Sequence, residues 1–168
     1  MKQLTITRLT ETGRIAAVQV PTILNEAGIA FQPIDELNWS EYPYKPKVEF
    51  RIAHTGHSLL LHYRVTEQSV RAVAESDNGR VWEDACCEFF IQPNLQEPVY
   101  YNFECNCAGT LLLNCGKVGD RHPAPKEVLA SIDRWSSLGR EPFEERIGEC
   151  SWELALVIPA SALFNDTI

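Results

Sequence analysis

From residue 46 onward, apolar and polar residues alternate with a period of two, and this confines most of the chain to β-strands. Val48, Phe50 and Ile52 alternate with Glu49 and Arg51. Beyond Thr55-Gly56-His57, Leu59, Leu61, Tyr63 and Val65 alternate with Leu60, His62 and Arg64. Two such runs joined by a short glycine-containing turn predict a β-hairpin. The same criterion predicts further strands at about 85–92, 98–107, 110–115, 127–133, 142–148 and 151–158. Turn-forming stretches separate them: Asp77-Asn78-Gly79, Pro93-Asn94, Gly116 to Gly119, Pro123 to Pro125 and Ser136 to Gly139. Short strands spaced in this way predict an all-β fold, an antiparallel β-sandwich of immunoglobulin-like or jelly-roll type. Helical turns are expected only near 22–28 and after Pro159.

The first 45 residues lack this alternation. Pro21, Pro33, Pro43 and Pro46, with Asn38-Trp39 and Tyr42-Pro43-Tyr44, predict an extended strap pinned to the sandwich, Trp39 serving as a structural plug. At 168 residues the chain has the length of one domain, so strap, first strand and sandwich are expected to form a single unit over 1–168. Fifteen Lys+Arg against 23 Asp+Glu give a net charge of −8. That balance argues against nucleic acid and anionic membrane surfaces, which need clustered cations. No apolar run approaches the ~20 residues of a membrane span; runs such as Leu59-Leu60-Leu61 are only a few residues long. The opening residues, Met1 to Arg8, lack the apolar core of a secretory leader, so the chain reads as cytosolic or as the mature form of an exported protein. The six cysteines include no CxxC pair and read as small buried hydrophobes.

The chemically informative stretch runs from Val81 to Asn106. Val81-Trp82-Glu83-Asp84 places an indole before two acids at the mouth of a strand. In that strand Ala85, Cys87, Phe89 and Ile91 share one face, and Cys86, Glu88 and Phe90 the other. In the next, Val99, Tyr101, Phe103, Cys105 and Cys107 form an apolar face, opposite Tyr100, Asn102, Glu104 and Asn106. If the two strands are neighbours, Glu88 joins that second row. Carboxylates and amides at fixed spacing match adjacent sugar hydroxyls, each a donor and an acceptor. A flat indole such as Trp82 can pack on the C–H face of a pyranose at ~25 cal/mol per Å² of apolar area covered. The same pattern also describes a solvated outer face with a tryptophan covering a sandwich edge.

These residues carry a resemblance. Val81-Trp82-Glu83-Asp84-Ala85-Cys86-Cys87-Glu88-Phe89-Phe90-Ile91 resembles the W-[ED]-x-D-x-x-E-x-F segment of family 9 carbohydrate-binding modules, and Tyr100 to Asn106 resembles the strand that follows it. Ile34-Asp35 to Asn38-Trp39 is similar to the family's opening, and Ser151-Trp152-Glu153-Leu154 to Ile158-Pro159 to its late strand, so the likeness spans roughly 34–160. It implies a non-catalytic β-sandwich that grips a saccharide of glucose or xylose type, at a chain end, in the service of polysaccharide (xylan) binding or breakdown. Trp82 would stack, while Glu88 and Asn106 hydrogen-bond hydroxyls. Glu104, and more weakly Tyr100 and Asn102, would extend the polar rim. Two departures stand out. Glu104 occupies a position where some members carry arginine. The family's second stacking tryptophan falls beyond the late Ile-Pro, where this sequence stops at Ile168. Loss of the clamp, substitution by Trp135 or Trp39, or a C-terminal truncation would each account for that.

Competing chemistries are weaker in the sequence. Glu88 with Glu104, or Glu83 with Asp84, would supply a glycosidase pair only if one acid were desolvated. His54, His57 and His62 bracket a turn rather than a helix face and read as surface histidines. Asp77, Asn78, Glu83 and Asp84 are hard oxygen ligands that suit a structural calcium, although they match no known calcium loop. No other cofactor is called for. A sandwich that binds another protein through the Tyr100–Asn106 face or the strap is the remaining alternative.

Overall fold

The hairpin read from the sequence is the spine of the larger of two sheets. Strands β3 (Lys47–His54) and β4 (Ser58–Ala72) pair antiparallel, with Val48 opposite Val65 and His54 opposite Leu59. The computed structural model describes residues 3–10, 13–164 and 167–168. The other edge of β4 pairs with β10 (Phe143–Pro159), whose far edge holds β9 (Asp133–Ser136). Short β1 (Thr7–Arg8) runs parallel to β3, and β2 (Gln32–Ile34) antiparallel to it. The smaller sheet is a meander of β5 (Cys86–Ile91), β6 (Tyr100–Asn106), β7 (Leu111–Lys117) and β8 (Asp120–Pro123). The two sheets form the expected all-β sandwich.

Alternation decides the core. Leu59, Leu61, Tyr63 and Val65 of β4 meet Trp152, Leu154, Leu156 and Ile158 of β10, and across the gap Tyr101, Phe103, Cys105, Leu111 and Leu113. Trp152 is 2% exposed, and its indole N–H donates to Glu67 Oε1 at 2.5 Å. The larger sheet is packed on its outer face as well. Helix α1 (Val20–Glu26) lays Val20 and Leu24 on Ala53, Leu60, Ala155 and Val157. Burial on both faces is why Leu59-Leu60-Leu61 is continuously apolar.

That second layer overturns two expectations. His62 is not a surface histidine but is 1% exposed, and Arg51 is buried beside it. Arg51 Nε donates to His62 Nδ1 at 3.1 Å, its Nη2 to the Pro21 carbonyl at 2.8 Å, and its guanidinium lies 4.4 Å from the Phe31 ring. Because arginine only donates, Nδ1 is the acceptor and the imidazole proton sits on Nε2, which donates to Glu153 Oε2 at 2.7 Å. Trp39, expected to plug the sandwich, is 66% exposed. The strap is pinned instead by Tyr44, whose hydroxyl accepts the Gln68 N–H at 2.8 Å.

Two strand boundaries also change. The segment expected as a strand at 127–133 is helix α2 (Lys126–Ser131) followed by β9. Lysine, glutamate, leucine and alanine favour helix and Pro125 stands at its N-cap; Leu129 and Ile132 still reach the core. The separate strands at 142–148 and 151–158 are one, β10, which keeps pairing with β4 through register shifts near 143–146 and 147–150.

Candidate functional site

The smaller sheet turns Tyr100, Asn102 and Glu104 away from the core. Register places Glu88 opposite Glu104, Phe90 opposite Asn102 and Cys86 opposite Asn106. On the other side Asn114 lies opposite Asn102, and Gly116 stands between Tyr100 and Arg121. The strands near 88 and 104 are therefore neighbours, and Glu88, Glu104, Asn102 and Tyr100 share one surface. Central positions lie deeper than flanking ones: Asn102 is 2% and Glu104 8% exposed, whereas Glu88, Phe90 and Arg121 are exposed. The result is a floor of Asn102 and Glu104 beneath a rim of longer side chains.

The floor is held by one internal bond. Asn102 Nδ2 donates to Glu104 Oε1 at 2.7 Å, while Asn102 Oδ1 is buried with no partner. Burial and the charge of Glu88 push the Glu104 carboxyl above its ordinary range, against the pull of the Asn102 amide and Arg121. Phe90 and Tyr100 lie with ring centroids 6.2 Å apart, and the Arg121 guanidinium sits 5.6 Å from the Tyr100 ring. Gly116 makes room for this: with φ +146, a Cβ there would lie 2.2 Å from the Asp120 carbonyl oxygen.

Asn106 has a different task. Its side chain is fully buried and fully engaged, with Nδ2 donating to Asp84 Oδ2 at 2.9 Å and Oδ1 accepting from the N–H groups of Ala108 and Thr110 at 3.1 and 2.8 Å. It presents no polar atom to a ligand. Asp84 in turn has a fully buried side chain and accepts from Val73 N and Ala74 N at 3.0 Å each, with Arg71 3.5 Å away. These bonds anchor the 3-10 turn Val81–Glu83, which is bolted down on its other side by buried Val81 and by Arg71 donating to the Glu83 carbonyl. Trp82 projects from that turn and stays 54% exposed. The turn precedes β5 at the Cys86–Asn106 end of the sheet, and the Phe90–Tyr100 pair marks the other end.

The remaining candidates are placed elsewhere. Asp77 accepts from Arg134 and from Leu111 N, Asn78 bridges Leu113 N and the Ala124 carbonyl, and Glu83 pairs with Arg80. Among the described residues no three His, Cys, Asp or Glu side chains are grouped to hold a metal. Trp135 is half-buried against the α1-covered layer, on the far side of the larger sheet. A groove of about 820 Å³ involves Arg8, Arg14, His57 and Asp133 and, among the described residues, has no Trp, Tyr or Phe in its walls. Phe90 and Arg121 were missed as site residues by sequence reasoning. Phe90 alternates in step with Glu88 and was legible; Arg121 reaches the face only through the β7–β8 hairpin.

The outer face of the larger sheet is thus closed by a helix, while that of the smaller sheet is open, acid-floored and edged by aromatic rings. The chain belongs to carbohydrate-binding family 9, whose defining pattern matches residues 18–168. It is similar to a crystal structure from Bacteroides uniformis ATCC 8492, provisionally named a carbohydrate-binding protein, with 59% identity and a TM-score of 0.93. That similarity covers 96% of this chain and 74% of the other. None of the curated proteins compared with the chain matches it.

Proposed function

We propose that the open face of the smaller sheet binds a saccharide of glucose or xylose shape, with Trp82 stacking on a ring and Glu88, Glu104 and Asn102 meeting hydroxyls. Tyr100 and Phe90 form a second aromatic shelf. From Cys86 to Phe90 the strand runs about 13 Å, so the face has length for more than one ring. Asn106 acts as a positioning residue, tying Asp84 and the Trp82 turn to the end of β6. The family membership supports a non-catalytic role in the binding or breakdown of polysaccharides such as xylan. The observation that carries this reading is the half-exposed Trp82 indole on a rigid turn at one end of a sheet whose floor holds a buried acceptor, Asn102 Oδ1, that no protein donor fills.

Calorimetric titration with cello- and xylo-oligosaccharides tests it. Stacking one indole face contributes about 1–2 kcal/mol, so Trp82→Ala should weaken binding about tenfold with an unchanged melting temperature. Binding that is equal in wild type and Trp82→Ala would refute the assignment. Tryptophan fluorescence should be read in a Trp39→Phe background, because Trp39 is also exposed.

One observation favours a second reading. Glu88 and Glu104 are cross-strand neighbours and the carboxyl of one is raised, as an acid–base pair in a glycosidase requires. Release of reducing sugar from polysaccharide that vanishes in Glu88→Gln would establish it. No release by wild type would retire it.

A further inference from the structure

The floor of this face is rich in acceptors and short of donors. Glu104 Oε1 receives the Asn102 amide, but Asn102 Oδ1 receives nothing although the residue is 98% buried. No ion pair joins Glu88 to a cation among the described residues, and it stands directly opposite Glu104. Side chains in such a cross-strand pair have Cβ atoms about 5 Å apart, close enough for one ligand group to touch both. Arg121, the cation on this face, lies over the Tyr100 ring, and its pull on Glu104 is the weakest of the influences acting there. A neighbouring group senses the same two carboxylates: burial, followed by Glu88 and Glu104, pushes the Cys86 thiol up to about 12.

A hydroxyl brings one donor to such a floor; an ammonium brings three donors and a positive charge. Glu88 and Glu104 are neighbouring acceptors on one surface, and the orphaned Asn102 oxygen is a third acceptor buried in the floor beside them. A carboxylate-bearing sugar would instead meet two like charges in a partly desolvated setting.

We infer that this face selects a pyranose carrying a protonated amine, of the 2-amino-2-deoxy class, over its neutral and acidic counterparts, with Glu88, Glu104 and Asn102 Oδ1 receiving the ammonium. The inference rests on the reading of the face as a saccharide site and names its ligand class. The ring is that of glucose, so Trp82 keeps its stacking role.

Calorimetry at pH 7 and low salt, with the β-1,4 disaccharides of glucosamine, glucose and N-acetylglucosamine and with D-glucuronate, provides the test. The glucosamine disaccharide should bind about tenfold more tightly than the glucose disaccharide. N-acetylation should remove the advantage, glucuronate should bind most weakly, and added salt should shrink the preference. Glu88→Gln and Glu104→Gln should each bring the amine-to-neutral ratio toward one. Glu88 is exposed and Gln is its isostere, so thermal melting of that variant serves as the folding control. Binding of the glucose disaccharide with equal or greater affinity than the glucosamine form overturns the amine preference and leaves the saccharide reading standing. Tighter binding of glucuronate overturns the preference too. If none of the four binds while xylo-oligosaccharides do, the amine assignment is wrong and the site reading survives; if those also fail, both fall.

Discussion

Asp84→Ala is the substitution with the most to reveal about how the Trp82 turn is held. The carboxylate is fully buried and accepts from two backbone N–H groups at 3.0 Å each and from the Asn106 amide at 2.9 Å, with Arg71 at 3.5 Å. Alanine leaves these donors without partners, and each buried orphan costs about 1–3 kcal/mol. Arg71 is 41% exposed and recovers hydration, so its share is small. Water entering the space relieves part of the rest, and a net loss of about 3–4 kcal/mol is expected. For a chain of this size that lowers the melting temperature by about 10 °C. Asp84→Asn keeps one acceptor oxygen and should fall about halfway. Glu83→Gln, at the exposed neighbouring acid, should stay within about 0.5 kcal/mol. Melting followed by circular dichroism, with urea midpoints alongside, measures all three. Saccharide binding should weaken in Asp84→Ala even well below its melting point, because the turn that presents Trp82 is loosened. A melting temperature within 2 °C or so of wild type would mean that the Asp84 network does not hold the turn, and the account would be refuted.

Other outcomes follow from single groups. Burial pulls the His62 imidazole below its ordinary 6.5, with Glu153 opposing. The native state therefore holds it neutral: its contribution is fully present above pH 6.5 and is lost as pH falls through the lower folded value, at no more than about 1.4 kcal/mol per pH unit. The difference in urea stability between wild type and His62→Gln across pH 4–8 should shrink on the acid side, and a pH-independent difference would contradict the assignment. Gly116→Ala forces a Cβ against the Asp120 carbonyl at a φ of +146; it should destabilise by about 1–3 kcal/mol and loosen the Arg121–Tyr100 contact, measurable by melting and binding together. Burial pushes the Cys105 and Cys107 thiols up to about 12, so aromatic disulfide reagents should label them only on unfolding, whatever their rate at half-buried Cys86, Cys115 and Cys150. Fast labelling of Cys105 in the native state would contradict its placement in the core.

Alternation alone separated Tyr101, Phe103 and Cys105 from Tyr100, Asn102 and Glu104, because a strand can only turn successive side chains to opposite faces. The hairpin at 55–57, the core-facing run from Trp152 to Ile158 and the sandwich class were legible for the same reason. The stretch 127–133 reads as a strand because Val128, Ala130 and Ile132 alternate, while the residue propensities of Lys126–Ser131 and Pro125 favour the helix that forms.

Depth and partnership were beyond the reach of local pattern. Glu104 and Asn106 are two residues apart on one face, yet Glu104 meets only the Asn102 amide in the floor of the open face, whereas Asn106 is wholly engaged by Asp84 and a turn. Arg51 and His62 look like outward polar positions and are buried, because a helix and Phe31 from the strap cover that side of the larger sheet. Periodicity fixes which way a side chain points, since that depends on backbone geometry a few residues long. What it then meets depends on elements 20 to 90 residues away, and only their packing decides whether a carboxylate is left facing an open surface or ends as a strut.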